Sequence, residues 1–301
     1  MIWPGNPTSL VTGGAGFIGS HLVDCLLERG HNVVCVDNES ADNDKFHWNK
    51  DAWNINVDIT DYKALKNAFT NVTYCFHLAA ESRLQPAINN PIEAVHKNCV
   101  GTTTVLQCAR EAGVKRVVYS STSSAYGNNP YPNVETQPDD CLNPYSASKV
   151  AAEKFCKMYS DLYGLETVVL RYFNVFGERS PTRGQYAPVI GIFDRQKKNN
   201  EPLTIVGDGS QRRDFIYVGD VAKANLIAAE ATLDKKYFGQ VFNIGSGINY
   251  SVQEIADAIS DNQTYIPKRE GEMETTWSNI EKASEILDWK PEVDVLEWIK
   301  K

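Results

Sequence analysis

Through its first half the chain alternates short runs of β-branched and apolar residues with longer stretches whose apolar positions recur at helical spacing. The runs Ser9–Thr12, Asn32–Val36, Trp53–Val57, Thr73–His77, Arg116–Ser120 and Thr167–Arg171 predict strands. Between them Phe17–Arg29, Asp61–Phe69, Ile92–Ala112 and Pro144–Tyr163 predict helices. Such alternation implies an α/β fold, a Rossmann-type doubly wound parallel sheet with helices on both faces. Ligands of such sheets bind beyond the carboxyl ends of the strands. After Asn174 the rhythm breaks. A stretch rich in Gly, Pro and Arg, residues 177–188, leads into shorter elements and a tail containing Pro267, Gly271 and Pro291. Residues 1–174 therefore read as the sheet domain. Residues 175–301 read mainly as a smaller C-terminal lobe, interleaved with that domain rather than hung on a linker.

The first predicted strand runs into Thr12-Gly13-Gly14-Ala15-Gly16-Phe17-Ile18-Gly19, which opens the first predicted helix. Glycines at Gly14, Gly16 and Gly19 satisfy the G-x-G-x-x-G pattern, which lets backbone approach a pyrophosphate at a helix N-terminus. Asp37 closes the next strand, about 20 residues on, where a carboxylate would accept from the ribose 2′-hydroxyl of a dinucleotide. That carboxylate repels a 2′-phosphate, and neither Lys nor Arg follows it directly. The cofactor expected is NAD, which makes residues 1–174 the NAD-binding domain.

Asn143-Pro144 supplies a helix cap and a first-turn proline, and Tyr145 and Lys149 then stand one turn apart on the same face. A phenol titrates near pH 10, so a tyrosine base at neutral pH needs positive charge beside it. Lys149 and an oxidised nicotinamide would supply that charge. At the end of another predicted strand, Thr122-Ser123-Ser124 offers hydroxyls that can orient a substrate hydroxyl and relay its proton. Each motif alone has an ordinary reading, as a tight turn, a helix surface pair or a polar loop.

Composition removes other classes. The 301 residues carry a formal net charge of -8, with no basic run of the kind a nucleic-acid surface requires. No apolar stretch is as long as a membrane span, and the first residues lack the basic region of a secretion signal. Seven cysteines without a C-x-x-C pair and five histidines without ligand spacing predict reduced core thiols, no metal and a cytoplasmic protein.

Taken together, these motifs resemble the extended short-chain dehydrogenase/reductase family, in its nucleotide-sugar epimerase and dehydratase branch. The resemblance extends over Asp58-Ile59, residues 77–80, Asn98, residues 171–177, residues 207–218 and residues 269–272. It implies a Tyr145 base, a Lys149 helper and Thr122 as the hydroxyl residue. It implies cofactor contacts from Gly13, Gly16, Phe17, Ile18, Gly19, Asp37, Asn38, Asp58, Ile59, Leu78, Ala79, Ala80, Asn98, Tyr145, Lys149 and Tyr172. Thr122, Ser123 and Tyr145 would meet the sugar, Asn174 would bind the diphosphate, and Arg213 and Arg269 would clamp it. Thr276 would lie against the sugar 2-substituent, with room for an acetamido group.

Related dehydratases resemble Thr-Asp-Glu at the hydroxyl loop, and related decarboxylases Thr-Ser-Glu. Thr122-Ser123-Ser124 has no carboxylate, so the resemblance implies a 4-epimerase of a nucleotide-linked sugar, UDP-N-acetylglucosamine or UDP-glucose. The alternatives are a 4-reductase, a uronate-specific 4-epimerase, a dehydratase and a non-catalytic NAD-binding regulator. Arg83 stands where relatives carry small residues, and could meet a carboxylate. A homodimer is implied, pairing helices 92–112 and 144–163 into a four-helix interface.

Overall fold

The computed structural model describes residues 5–41, 45–182, 187–268 and 273–301. Its first half reads β1 (Thr8–Thr12), α1 (Phe17–Glu28), β2 (Asn32–Asp37), β3 (Trp53–Asn56), α2 (Tyr62–Ala68) and β4 (Tyr74–His77). There follow α3 (Leu84–Asn89), α4 (Pro91–Val95), a π-helical segment (His96–Gly101), α5 (Thr102–Glu111), β5 (Arg116–Thr122), α6 (Pro144–Tyr163) and β6 (Glu166–Tyr172). The second half adds β7 (Asn174–Phe176), α7 (Val189–Lys198), β8 (Leu203–Val206), β9 (Arg212–Tyr217), α8 (Val218–Glu230) and β10 (Gln240–Ile244). It closes with β11 (Asn249–Ser251), α9 (Val252–Ile259), β12 (Gln263–Ile266), α10 (Glu281–Leu287) and α11 (Val295–Ile299).

Seven parallel strands form the main sheet, in the order β3-β2-β1-β4-β5-β6-β10. The order reverses between β1 and β4, so a crevice opens there at the carboxyl ends of the strands. β2, β4 and β5 are buried throughout, which explains their continuous apolar runs. One face packs under α1 and α8 through Leu22, Leu26, Val221 and Ala228. The other packs under α5 and α6 through Val105, Leu106, Ala152 and Cys156.

The second half divides its labour. α8 and β10 complete the main sheet domain, while β7, β9 and β11 form a small sheet and β8 pairs with β12. This lobe has its own core around Phe176, Phe193, Ile205, Phe215 and Ile255. No helix among the described residues is long and apolar enough to cross a membrane.

Helix α6 is bounded as its sequence dictates. The Asn143 side chain accepts from the Ser146 N–H at 2.9 Å, Pro144 opens the first turn, and Gly164 closes the helix at φ +70°. The stretch 92–112 departs from a single α-helix. It widens to a π turn at His96–Gly101, where Asn98 turns inward.

Candidate active site

The glycine turn sits in the crevice. Gly13 has φ +69° and donates to the Val36 carbonyl at 2.8 Å; a Cβ there would lie 2.8 Å from the Ala79 nitrogen. A Cβ on Gly19 would lie 2.0 Å from the Gly13 carbonyl oxygen, so the turn and the helix close only on glycine. Gly16 is the N-cap of α1 and no side chain caps the helix, so its first N–H groups remain available to an anion.

Asp37 ends β2, buried, with one carboxylate oxygen accepting from Ala15 N at 3.1 Å and the other from Glu39 N at 2.8 Å. Burial raises its pKa, and the two backbone donors oppose the rise. Asn38 donates to Asp58 at 2.7 Å, and Asp58 also receives the Thr60 N–H and hydroxyl. Burial pushes Asp58 up, but these hydrogen bonds outweigh it and leave the carboxyl below its usual range. On the facing wall, Thr12 holds the 78–79 backbone: its carbonyl and hydroxyl accept from Leu78 N at 3.1 and 3.2 Å, and the hydroxyl also from Ala79 N at 3.3 Å.

Gly13, Gly16, Gly19, Asp37, Asn38, Asp58, Leu78 and Ala79 line a cavity of about 380 Å³ that also reaches Thr122, Tyr145 and Lys149. Thr122 ends β5 with its hydroxyl accepting from Ser124 N at 3.1 Å, and it lines the same cavity as the Tyr145 phenol. Burial raises the phenol pKa, the Thr122 contact lowers it, and Glu81 raises it. Lys149 is buried with its Nζ 4.3 Å from the Tyr119 ring centroid, and burial pulls its amine down to about 8. Among the described residues no carboxylate forms an ion pair with it.

A second cavity, of about 360 Å³, lies toward the small lobe and shares Ser82, Ser123, Ser124, Tyr145, Asn174, Val175 and Pro188 with the first. Tyr145 thus stands where the two meet. Arg213 lines the second cavity and donates from Nη1 to the Arg212 and Glu274 carbonyls. Thr276 lines it too, with its hydroxyl accepting from Asn174 Nδ2 at 2.9 Å and Asp214 N at 3.1 Å.

Three expected contacts fall differently. Asn174 borders both cavities, but its Nδ2 hydrogens go to the Asp214 carbonyl and to Thr276. As placed, that side chain has no amide hydrogen left for a diphosphate and instead holds the 276 segment. Asn98 lines neither cavity: it clamps the Glu81 backbone at both its N–H and carbonyl and donates to Ser148. Tyr172 reaches the first cavity, yet its phenol is bonded inward to Ser120 and Asn225. Arg269 lies outside the described residues.

The structure also places Arg83, singled out in the sequence, and brings in residues beyond the expected set. Arg83 and Lys97 line the first cavity, Lys97 paired to Glu93 at 3.4 Å and Glu81 at 3.7 Å. Val189, Phe193, Val206 and Phe215 make an apolar wall in the second. Arg83 was visible in the sequence as a departure from its relatives; the apolar wall had no such signal, because its short elements carry no long periodicity.

A sheet reversal holding a glycine turn, with a Tyr–Lys helix beside it, defines an enzyme of the short-chain dehydrogenase/reductase type. The chain belongs to the NAD dependent epimerase/dehydratase family, whose family model matches residues 9–245, and its cofactor is NAD. The fit is physical: a close-approach glycine turn, a helix N-terminus with no side-chain cap, and a buried carboxylate, Asp37, at the end of the next strand. The chain is 42% identical over 97% of its length, and 96% of the relative's, to a Methanocaldococcus jannaschii protein provisionally named a UDP-glucose 4-epimerase. The Thermotoga maritima UDP-glucose 4-epimerase with UDP-glucose superposes with a TM-score of 0.91, at 35% identity, covering 97% of this chain and 96% of that one. A UDP-N-acetylglucosamine 4-epimerase of Methanobrevibacter ruminantium, in complex with UDP-N-acetylmuramic acid, gives 0.91 at 32% identity, covering 98% and 96%.

Proposed function

We propose that the protein is a UDP-sugar 4-epimerase that inverts C4 of UDP-glucose and of UDP-N-acetylglucosamine. The observation that carries this reading is Tyr145 at the junction of the two cavities, beside a hydroxyl loop without a carboxylate. Among the described residues the second cavity has no acidic lining at all. Eliminating water from a sugar calls for a positioned acid as well as a base; inverting a carbinol calls for one group that can take and return the same proton. The names of the similar epimerases support the same choice.

In this reading Tyr145 takes the proton of the sugar 4-hydroxyl, and Thr122 orients that hydroxyl. Lys149 favours the phenolate by its charge. Bound NAD supplies the hydride acceptor and donor, so no net oxidation results. The nucleotide lies along the apolar wall of the second cavity, where Arg213 meets the diphosphate and Thr276 the 2-substituent. Asp37, Asn38, Asp58 and Ile59 hold the adenosine half of the cofactor, and residues 13–19 its diphosphate. Tyr145 and Lys149 hold the nicotinamide riboside. Asn98 acts on the cofactor site through the Glu81 loop, and Asn174 on the sugar site through Thr276. Two copies pair through α4, the π turn, α5 and α6.

The test is incubation of the purified protein with UDP-glucose, UDP-N-acetylglucosamine and UDP-glucuronate, without added cofactor. C4 epimers of unchanged mass are expected from the first two, because the cofactor is regenerated each cycle. Tyr145→Phe should lower turnover about 10²–10⁴-fold with NAD still bound. A product lighter by one water assigns a dehydratase instead, and stoichiometric consumption of NADH a reductase.

A further inference from the structure

One turn beyond Lys149, on the same face of α6, stands Glu153, 4% exposed. Its Oε1 accepts from Arg171 Nε at 2.9 Å and from the Ser121 hydroxyl at 2.5 Å, and its Oε2 accepts from Arg171 Nη2 at 2.7 Å. Arg171, on β6 and 2% exposed, also donates to Asp139 at 2.6 Å and lies 4.7 Å from the Tyr126 ring centroid. Neither Glu153 nor Arg171 lines either cavity. A buried ion pair of this kind is weak evidence for stability, since an apolar pair of like volume commonly serves as well.

Its position suggests another purpose. Ser121 precedes Thr122 in β5 and pairs in register with Arg171, as Thr122 does with Tyr172. The carboxylate therefore ties three things together: the helix that carries Tyr145 and Lys149, the strand end that carries Thr122, and the neighbouring strand. We propose that Glu153 and Arg171 are positioning residues for the Tyr–Lys pair, fixing α6 against the end of β5 and setting a carboxylate one turn from the Lys149 amine. This rests on the reading that Tyr145 and Lys149 perform the proton transfer.

The surroundings of Lys149 support it. Tyr119 of β5 lies under the amine, and Tyr145 is on the same helix. His77 of β4 is held neutral, its pKa brought to about 3 by burial and then by the Lys149 charge. Burial lowers the Lys149 amine, while Cys156, Glu153 and Cys99 act the other way. Both thiols are themselves pushed up by burial and are uncharged where the amine titrates. That leaves Glu153 as the carboxylate among the described groups that sustains the ammonium.

The test compares wild type, Glu153→Gln and Glu153→Met/Arg171→Met as purified holoenzymes. NMR of labelled lysine side chains, with Lys149→Met for assignment, follows the amine. Glu153→Gln removes the anion and leaves Arg171, so the Lys149 titration and the alkaline limb of kcat should both move to lower pH by about one unit. Its kcat should fall about tenfold or more, at unchanged KM, as the loop and helix lose register. The double variant replaces the pair by apolar volume, keeps the fold if the single variant does not, and should move both titrations the same way by less. An amine titration and alkaline limb at their wild-type positions in a folded variant overturn the proposal. The amine is read without substrate, so an error in the assigned reaction leaves this outcome legible and separate.

Discussion

The hydroxyl oxygen of Thr276 accepts from Asn174 and from the Asp214 backbone, and the residue is buried, so what it sets at the edge of the second cavity is chiefly bulk. Size, rather than hydrogen bonding, is then how position 276 would select a sugar. Thr276→Tyr should lower kcat/KM for UDP-N-acetylglucosamine at least about tenfold more than for UDP-glucose, a differential of about 1.4 kcal/mol, because a filled pocket excludes the acetamido group. Thr276→Val separates the two roles. It keeps the shape, costs about 1–3 kcal/mol of stability through the unpaired buried groups, and should leave the substrate ratio unchanged. Equal losses on both sugars in the tyrosine variant would show that Thr276 does not border the 2-substituent. At this scale legibility follows the reach of the contact. Tyr145 and Lys149 could be paired from the sequence because a helix sets their spacing. Asn174 and Thr276 lie 102 positions apart, and nothing local says that the amide of one is consumed by the other.

At the scale of elements, β2, β4 and β5 were legible because burial on both faces favours apolar runs. β10 was not assigned, since it comes from the half with the broken rhythm and finds its place only by pairing with β6. The π turn in 92–112 escaped for a different reason: six residues of wider helix barely disturb an apolar period. One inter-element link has a measurable consequence. His77 on β4 hydrogen-bonds Thr12 on β1 at 2.7 Å and Thr102 on α5 at 2.9 Å. Burial brings its pKa to about 3, below the 6.5 of an unfolded histidine. Between those values the unfolded chain binds the extra proton, so the stability from this group is present above about pH 6.5 and is lost as pH falls toward 3. Urea unfolding from about pH 6.5 to about pH 5 should show stability falling by up to about 1.4 kcal/mol per unit from His77. His77→Gln should flatten that slope whatever it costs in absolute stability. A slope unaltered by the substitution would mean that His77 is not the group being titrated.

For the whole molecule, the open question is what covers α4, the π turn and α6. Ile92 is 82% and Leu162 66% exposed, with Val95, Val100 and Met158 also open to solvent on the same packed group of helices. Isolated exposed apolar residues need no explanation, but several gathered on neighbouring helices point to a partner. A second copy of the chain is the economical one, and it has a functional consequence. Leu162 shares α6 with Tyr145, Lys149 and Glu153, so covering its outer face would brace from outside the helix that the Glu153–Arg171 pair holds from within. Burying Ile92 and Leu162 would contribute about 1.5–3 kcal/mol each. Light scattering at micromolar concentration should therefore give twice the 33.6 kDa of one chain. Ile92→Glu/Leu162→Glu should give the single-chain mass, because each carboxylate would have to be desolvated in the interface. It should also unfold at lower temperature and turn over more slowly, since α6 then loses its outer brace. A wild type that scatters as a single chain would overturn the pairing and leave α6 held only by its own packing against the sheet and neighbouring helices and by the interior network.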